Sequence, residues 1–272
     1  MGDVILFACG GAAGHIFTEA NESPDVPTVF LNVNSSSTIQ LTDADVPGAR
    51  ADPFLASSLL SDNREAICAK LHGMRVAVVF AVLGGGSGTG MMPEVAQYAR
   101  EEGCHVVSFV GIPMEFERDR RERAKEALAD VLGISDRMFI LDMEYINRIY
   151  PDVKFHHILN KLANTISFSV RSMAHLMEGP FFSTFSRKVY TVAYTTDMLP
   201  TNAVARAAEA SMFPVDPAFG KSVVMVSSGF GTAQMESIFN TVVSMTGIVP
   251  DIVKREDGDD TKVLTFLPVQ GF

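Results

Sequence analysis

Cysteine is scarce in this sequence, acidic residues outnumber basic ones, and long apolar runs are absent. The three cysteines, Cys9, Cys68 and Cys104, show no CxxC spacing, which is typical of free thiols in a reducing cytosol. The formal net charge of −10 disfavours a general role in binding nucleic acid or anionic membrane. No apolar run is long enough to span a bilayer, no signal peptide is evident, and Leu6 breaks the myristoylation pattern. We therefore expect a soluble, cytoplasmic protein with no direct membrane insertion.

The composition is that of an ordinary folded protein. Hydrophobic residues make up 47% of the chain, which argues against disorder. With 272 residues, the chain can form one large domain or two medium ones around a substantial core. There is no internal repeat and no low-complexity segment, so a globular fold is expected throughout.

The most informative stretch is a glycine-rich segment with five glycines in seven residues. It follows an apolar run, Val76 to Leu83, that is typical of a buried strand in a parallel sheet. It leads into a predicted helix, in which Pro93 would occupy the first turn and which Gly103 would end. Glycine lets backbone N–H groups approach a ligand, and the start of a helix adds partial positive charge. The segment therefore predicts a phosphate-binding loop made of Gly84, Gly85, Gly86, Ser87, Gly88, Thr89 and Gly90.

Three familiar glycine-containing motifs do not fit this loop. The P-loop requires a lysine directly after its last glycine, and none follows Gly90. No window has the G-x-G-x-x-G spacing, which disfavours a dinucleotide-dependent oxidoreductase. Ser87 is followed two residues later by Thr89 instead of glycine, so the loop is not a nucleophile elbow. A flexible glycine turn without a ligand remains the alternative interpretation.

The loop sequence GGGSGTG resembles the signature loop of the tubulin/FtsZ superfamily, GGG[ST]G[ST]G. The resemblance implies an α/β fold, in which a parallel-sheet GTP-binding domain (1–150) is joined by a long central helix (151–179) to a smaller α/β activation-like domain (180–272). It implies GTP or GDP as the ligand, with Mg²⁺ when the triphosphate is bound. It also implies a cytoskeletal protein that assembles head to tail into a filament, with itself or with another FtsZ-like protein.

A second strand–loop–helix unit opens the chain. Val4 to Ala8 is a predicted strand, followed by a glycine cluster and a short predicted helix from Ile16. The cluster resembles the GGGGGN loop of the FtsZ family, which contacts the phosphates and the base, with histidine in place of the usual asparagine. The resemblance therefore implies nucleotide contacts from Gly10, Gly11, Gly14 and His15.

Two further segments resemble loops that surround the nucleotide in the family. Asn34, after the predicted strand Thr28 to Val33, corresponds to a residue near the ribose, although Asn and Ser at strand ends are also plain turn formers. The segment PGARADP resembles the GAGANP loop, which senses the γ-phosphate, and implies contacts from Ala49, Arg50 and Ala51. Arg50 replaces a glycine, so it either adds a phosphate contact or is solvated at the surface. Residues 63–71 then predict the helix that leads to the central strand.

A third motif follows the predicted strand Val106 to Ile112. It matches the family pattern P-x-x-F-E-x-x-x-R, whose glutamate binds the ribose and whose arginine lies near the base and phosphate, at Pro113, Phe116, Glu117 and Arg121. Without the resemblance, this charged run predicts a solvated helix start with i,i+4 pairs such as Glu117–Arg121. After the next predicted strand, Met138 to Leu141, Asp142 stands where the family has an asparagine-bearing loop near the nucleotide.

A long helix is predicted between Pro151 and Gly179, because apolar residues recur there at spacings of one, three or four. Its length is about 38 Å, and it resembles the central helix of the family. Asn164 aligns with the asparagine that reads guanine, whose N1–H, N2–H₂ and O6 edge differs from that of adenine. Asn160 stands where the family places an aromatic residue that stacks on the base, so stacking is lost or supplied elsewhere.

The segment after this helix lacks the catalytic acids of the family. FtsZ carries N-x-D-x-x-D there, and its acids enter the site of the next subunit and polarise the attacking water. Residues 179–187, GPFFSTFSR, contain no carboxylate, and Glu178 is the nearby substitute. The resemblance therefore implies GTP hydrolysis that is slow or dependent on a partner. The alternative is a non-hydrolysing protein that caps or copolymerises with a true FtsZ.

The remainder of the chain alternates strands and helices in the order of the FtsZ activation domain. The predicted strands are 189–195, 223–227, 252–253 and 263–267, and the predicted helices are 202–211 and 233–246. The acidic segment 257–260 predicts a turn, with metal binding as the minor alternative.

Overall fold

The computed structural model describes residues 3–18, 26–33, 38–42, 49, 51–144, 153–177, 189–195, 202, 205, 215, 221–226, 229–254 and 263–270. Over these residues the strands form one ten-stranded sheet, and helices cover both of its faces.

The elements are numbered in chain order. The strands are β1 (Val4–Cys9), β2 (Thr28–Asn32), β3 (Ile39–Gln40), β4 (Val76–Val82), β5 (His105–Ile112), β6 (Arg137–Asp142), β7 (Val189–Thr195), β8 (Ser222–Val226), β9 (Pro250–Lys254) and β10 (Val263–Pro268). The helices are α1 (Gly11–Thr18), α2 (Pro53–Ser61), α3 (Arg64–Leu71), α4 (Ser87–Glu101), α5 (Arg118–Ile134), α6 (Phe155–Met177) and α7 (Thr232–Thr246).

The strand order across the sheet is β3-β2-β1-β4-β5-β6-β7-β10-β8-β9. All neighbours pair in parallel except β10, which is antiparallel to both β7 and β8. Because β1, β4, β5 and β6 are parallel neighbours, the loops that follow them lie at the same edge of the sheet. The mostly parallel sheet confirms the predicted α/β fold. The division of the chain at residues 150 and 179 stays a prediction.

Alternate residues of the central strands enter two cores, one on each face of the sheet. Ile5 and Phe7 of β1 pack with α2, α3, α4 and α5, whereas Leu6 and Ala8 pack with α1 and α6. Strand β4, with the sequence VAVVFAV, is buried at every position because helices cover both faces. This double coverage explains why the strand is a continuous apolar run without polar alternation.

Two helices begin earlier than the sequence predicts. Helix α1 begins at Gly11 instead of Ile16, and α4 begins at Ser87, inside the glycine-rich loop. The prediction that Pro93 lies in the first turn is therefore wrong, because Pro93 is in the interior of α4. Proline has no N–H, so the carbonyl of Thr89 lacks its helical hydrogen-bond donor. The apolar face of α4 is buried in the core, and this burial offsets the cost.

Most other elements agree closely with the sequence patterns. Gly103, with φ +83°, follows the end of α4 as predicted. Helix α2, which Asp52 caps and Pro53 opens, and the short strand β3 are not among the predicted elements. Of the predicted helix 202–211 only residues 202 and 205 are described, and the segments 179–187 and 257–260 lie outside the described residues. Within the described part of the chain, no helix combines the length and apolar character needed to cross a membrane.

Candidate functional site

The two glycine-rich loops lie side by side at one edge of the sheet. They follow β1 and β4, which pair in parallel from Val4 opposite Val76 to Cys9 opposite Ala81. Gly10 has φ +89°, and a Cβ built on it would lie 2.9 Å from the backbone nitrogen of Gly88. The loops therefore touch backbone to backbone, which only glycine at position 10 permits.

The segment that precedes α2 packs against the same loop. A Cβ on Gly86 would lie 2.7 Å from the nitrogen of Asp52, and a Cβ on Gly90 would lie 2.1 Å from the carbonyl oxygen of Pro53. Asp52 caps α2 by accepting hydrogen bonds from the backbone nitrogens of Phe54 (2.9 Å) and Leu55 (3.3 Å). These glycines are therefore required by the close approach of a neighbouring chain segment, so a merely flexible turn does not describe the loop.

The first turn of α5 is the third neighbour of the loop. Gly84 has φ +84°, and a Cβ on it would lie 1.9 Å from the carbonyl oxygen of Arg120. The nitrogen of Gly84 donates to Oγ1 of Thr89 at 2.9 Å, which closes the loop on itself. The loop is thus fixed by its own Thr89 hydroxyl and by three other segments of the chain.

The geometry at the start of α4 suits an anion. The first helical hydrogen bond runs from the nitrogen of Gly90 to the carbonyl of Gly86 (3.0 Å), so the preceding N–H groups have no acceptor within the helix. The first turn of α4 contains no acidic residue. Gly85, Ser87 and Thr89 are half-exposed, whereas their neighbours in the loop are buried. The half-exposed backbone and the positive end of the helix dipole can together hold a phosphate.

Arg121 and Asp142 join the ends of β5 and β6 through a buried ion pair. The Nη1 and Nη2 atoms of Arg121 lie 2.8 Å and 2.7 Å from the two carboxylate oxygens of Asp142, and Nη1 also donates to the carbonyl of Pro113 at 2.5 Å. The hydrogen bond with Asp142 raises the pKa of Arg121, although burial opposes that shift. The predicted pair Glu117–Arg121 is wrong, because Glu117 pairs with Arg120 instead.

Glu115 and Glu144, which the sequence analysis does not select, form hydrogen bonds next to this ion pair. Oδ1 of Asp142 also accepts a hydrogen bond from the backbone nitrogen of Glu144 (3.1 Å). Oε2 of Glu144 accepts one from the backbone nitrogen of Glu115 (2.9 Å). The carboxylates therefore fix the turn after β5 to the turn after β6. Only the strand order reveals this pairing, since the two turns are far apart in sequence.

Asn160 and Asn164 lie one turn apart on α6. Nδ2 of Asn164 donates to Oδ1 of Asn160 at 3.0 Å, and both residues are half-buried. Helix α6 packs against α1, which carries Gly11, Gly14 and the exposed His15. The asparagines are thus linked to the first glycine-rich loop through helix packing.

The structure brings together most of the residues that the sequence selects. The carbonyl oxygen of Ala49 accepts a hydrogen bond from the backbone nitrogen of Asp52 at 2.7 Å. Ala51, with φ +59°, directly precedes Asp52, which caps α2. Asn34, Arg50 and Glu178 lie outside the described residues. Arg120 is the functional candidate that the motif match misses, because the family pattern points to its neighbour.

No thiol in the described residues is placed to act as a nucleophile at this loop. Cys9 directly precedes Gly10, but burial raises the pKa of its thiol far above the ordinary value. Among the described residues, no group of three or more His, Cys, Asp or Glu side chains could hold a metal ion.

Comparisons with known proteins agree with this geometry. The family model described as "Tubulin/FtsZ family, GTPase domain" matches residues 18–151. Cell division protein FtsZ 2 of Methanocaldococcus jannaschii is 24% identical over 190 residues, which are 65% of this chain and 50% of that protein. The chain thus spans about half the length of this curated relative.

Solved structures show the same fold over nearly the whole chain. An empty FtsZ dimer of M. jannaschii superimposes with a TM-score of 0.78 at 17% identity, covering 98% of this chain and 88% of that one. CetZ2 of Haloferax volcanii, in a GTPγS-bound protofilament, gives a TM-score of 0.73 at 16% identity, covering 97% and 92%. The family match over residues 18–151, the sequence relatives and the shared fold together support one conclusion: this chain is a divergent FtsZ-like protein.

Proposed function

We propose that this protein binds GTP or GDP at the loop between β4 and α4 and assembles head to tail into filaments. The observation that carries the proposal is the packing of Gly84, Gly86, Gly88 and Gly90 against three separate backbone segments. Four positions with no room for a side chain hold the N–H groups of this loop in one arrangement at a helix start. A rigid array of donors at a helix start is the arrangement that binds phosphate.

The other contacts with the nucleotide would come from the segments that surround this loop. The phosphates would contact Gly10, Gly11, Gly14 and residues 84–90, and the γ-phosphate side would be formed by Ala49, Arg50 and Ala51. The ribose would contact Glu117, with Asn34 and Pro113 nearby, and the fixed pair Arg121–Asp142 would form the wall beside it. The base would lie against His15, Asn160 and Asn164.

Mg²⁺ would accompany the triphosphate and neutralise part of its charge. This ion usually keeps several waters and binds substrate phosphates, so it needs few protein ligands. Ser87 and Thr89 place hydroxyl groups on the loop and are the residues that would hold it.

Assembly is supported by the apolar surface that borders this loop. The side chain of Phe54, at the start of α2, is 86% exposed, and that of Phe116, beside Glu117, is 73% exposed. Exposed phenylalanines near the loop are candidates for burial at a contact with a second subunit. A CetZ2 with the same fold is described as a protofilament.

Hydrolysis should be slow for the protein on its own. A positioned acid–base group contributes about 10²–10⁴-fold to a rate. The sequence of residues 179–187 offers no carboxylate, and Arg187 cannot accept a proton at neutral pH. The same feature favours a second candidate function, in which the protein caps or copolymerises with an FtsZ that has an intact acidic loop.

GTP turnover measured across protein concentration, with sedimentation of the same samples, tests both functions. We expect GTP-dependent sedimentation with turnover roughly 10²–10⁴-fold below that of a relative that carries the acids. Turnover that rises with concentration to the rate of such a relative would refute slow hydrolysis. Loss of that turnover in Glu178→Ala would then assign the catalytic role to Glu178. Sedimentation only after addition of an FtsZ would favour the second function.

A further inference from the structure

Two adjacent arginines at the start of α5 have different surroundings. Arg121, which matches the family pattern, is buried and binds both oxygens of Asp142 and the carbonyl of Pro113. The side chain of Arg120 is 40% exposed, and its Nη1 atom pairs with Oε1 of Glu117. The Nη2 atom of Arg120 lies 4.0 Å from the position of a Cβ on Gly85. The guanidinium of Arg120 therefore stands beside the glycine-rich loop, and that of Arg121 is bonded elsewhere.

We propose that Arg120, and not Arg121, is the arginine of this motif that contacts the nucleotide phosphates. The assignment rests on the proposed nucleotide binding. A phosphate held by the half-exposed backbone around Gly85 and Ser87 would lie next to the Nη2 atom of Arg120. A guanidinium can bind two partners through different edges, because its five donors lie in one plane.

The backbone position of Arg120 is fixed by the loop itself. Its carbonyl oxygen lies against Gly84, where no Cβ could fit. Its side chain is held by Glu117 through the Nη1 atom. The arginine is therefore held before the ligand arrives, which reduces the entropy that binding must overcome. Arg120 binds Oε1 of Glu117, and the carboxylate keeps the acceptor capacity that a ribose hydroxyl needs.

Arg121 could reach a phosphate only by leaving Asp142. That movement would leave a carboxylate that is almost completely buried without its counter-charge, and an unpaired buried charge is strongly unfavourable. Arg120 requires no such loss, because Glu117 is partly exposed and can remain paired. Because only Arg121 would have to give up a buried partner, the phosphate contact is assigned to Arg120 and a structural role to Arg121.

The test compares dissociation constants for GTP, GDP and guanosine among variants of the full chain. Arg120→Ala should weaken GTP and GDP by roughly tenfold or more, because a hydrogen bond to a charged group is lost. Guanosine, which has no phosphate, should compete equally well against wild type and variant. Arg123→Ala removes the same charge from an exposed position on the same helix, and it should change affinity less than about twofold. Arg121→Ala should instead lower the thermal unfolding temperature.

Three results would overturn the assignment. Arg120→Ala and Arg123→Ala could weaken GTP equally, which would show only a general charge effect. Guanosine could lose affinity in parallel with GDP, which would place the action of Arg120 at the ribose through Glu117. Arg121→Ala could lose GTP affinity with unchanged thermal unfolding.

Arg120→Lys, which keeps the charge without the planar fork, should give an intermediate loss of affinity for GTP and GDP. It replaces Arg120→Ala if that variant does not fold. Failure of the wild type to bind any guanine nucleotide would instead remove the proposed function itself.

Discussion

The carbonyl oxygen of Arg120 lies against the α-carbon of Gly84, so closely that a Cβ there would be 1.9 Å from the oxygen. This contact joins the loop after β4 to the first turn of α5. It means that the glycine serves two needs at once, a left-handed φ of +84° and the space for a neighbouring backbone. The two needs can be measured separately in this chain.

Gly84→Ala should destabilise the protein far more than Gly73→Ala. Gly73 also has a left-handed φ, +78°, but nothing lies within 4 Å of its Cβ position. A non-glycine residue in a left-handed conformation costs about 1–3 kcal/mol, and only Gly84→Ala adds a backbone clash. Urea unfolding followed by circular dichroism gives both values, since the chain has no tryptophan. Equal losses would show that the contact with Arg120 contributes nothing.

Arg121→Ala should lower the free energy of unfolding by about 3–5 kcal/mol, because Asp142 is left buried and unpaired. The double variant Arg121→Met with Asp142→Leu should be more stable than Arg121→Ala, since it removes both charges and keeps apolar volume. The same urea experiment measures both variants. A double variant that is as unstable as the sum of the two single variants would contradict a direct pairing of these side chains.

Cys9 and Cys104 should react with Ellman's reagent much more slowly than Cys68 in the folded protein. Burial raises the pKa of both thiols, and the charge of Glu102 adds to the shift at Cys104. Cys68 is only partly buried. All three thiols should react together in urea. Rapid reaction of two or three thiols in the folded state would contradict the described burial.

The raised pKa values of Cys9 and Cys104 also predict the direction of a pH effect. The folded thiols stay protonated while unfolded thiols ionise, so the stability from this source is complete below the ordinary pKa of 9.0 and is lost as pH rises above it. Cys9→Ala should reduce the slope of stability against pH in the alkaline range. An unchanged slope would show that Cys9 does not contribute.

Asn164→Ala should keep the fold and weaken GTP relative to ATP. A buried hydrogen bond to the base edge is worth about 1–3 kcal/mol when its partner is removed. Asn160→Ala is measured alongside it: this variant also changes the proposed base site, and it removes the bond between the two asparagines while Asn164 remains. Competition of GTP and ATP against a fluorescent nucleotide measures the selectivity. An equal loss for both nucleotides in Asn164→Ala would show that this asparagine supports structure and does not read the base.

The sequence predicts the fold and the phosphate loop because both depend on local patterns. The continuous apolar run of β4 is typical of a strand buried on both faces, and four of the five glycines of residues 84–90 stand where the structure has no room for a side chain. The start of α4 is harder to predict, because glycine is a poor helix former and Pro93 suggests a later beginning. Tertiary packing of α4 overrides the local preference of proline.

The pairing of Arg121 could not be predicted because it depends on strand order. In sequence the nearest suitable acid is Glu117, four residues away, which suggests a helical pair. In the structure β5 and β6 are parallel neighbours, and Asp142 at the end of β6 lies opposite Ile112 at the end of β5. That register brings the carboxylate to Arg121 and leaves Glu117 to Arg120. The signal for α2, by contrast, is present in the sequence as the cap Asp52 followed by Pro53.

Isothermal titration of the purified protein with GTP, GDP, ATP and NAD tests the central claim most directly. We predict binding of GTP and GDP at one site per chain and clearly weaker binding of ATP and NAD. The same titration with Gly88→Ala, whose Cβ would lie 2.6 Å from the carbonyl of Val82, should show loss of that binding. No heat of binding with guanine nucleotides at millimolar concentration, or tighter binding of ATP or NAD, would contradict the account.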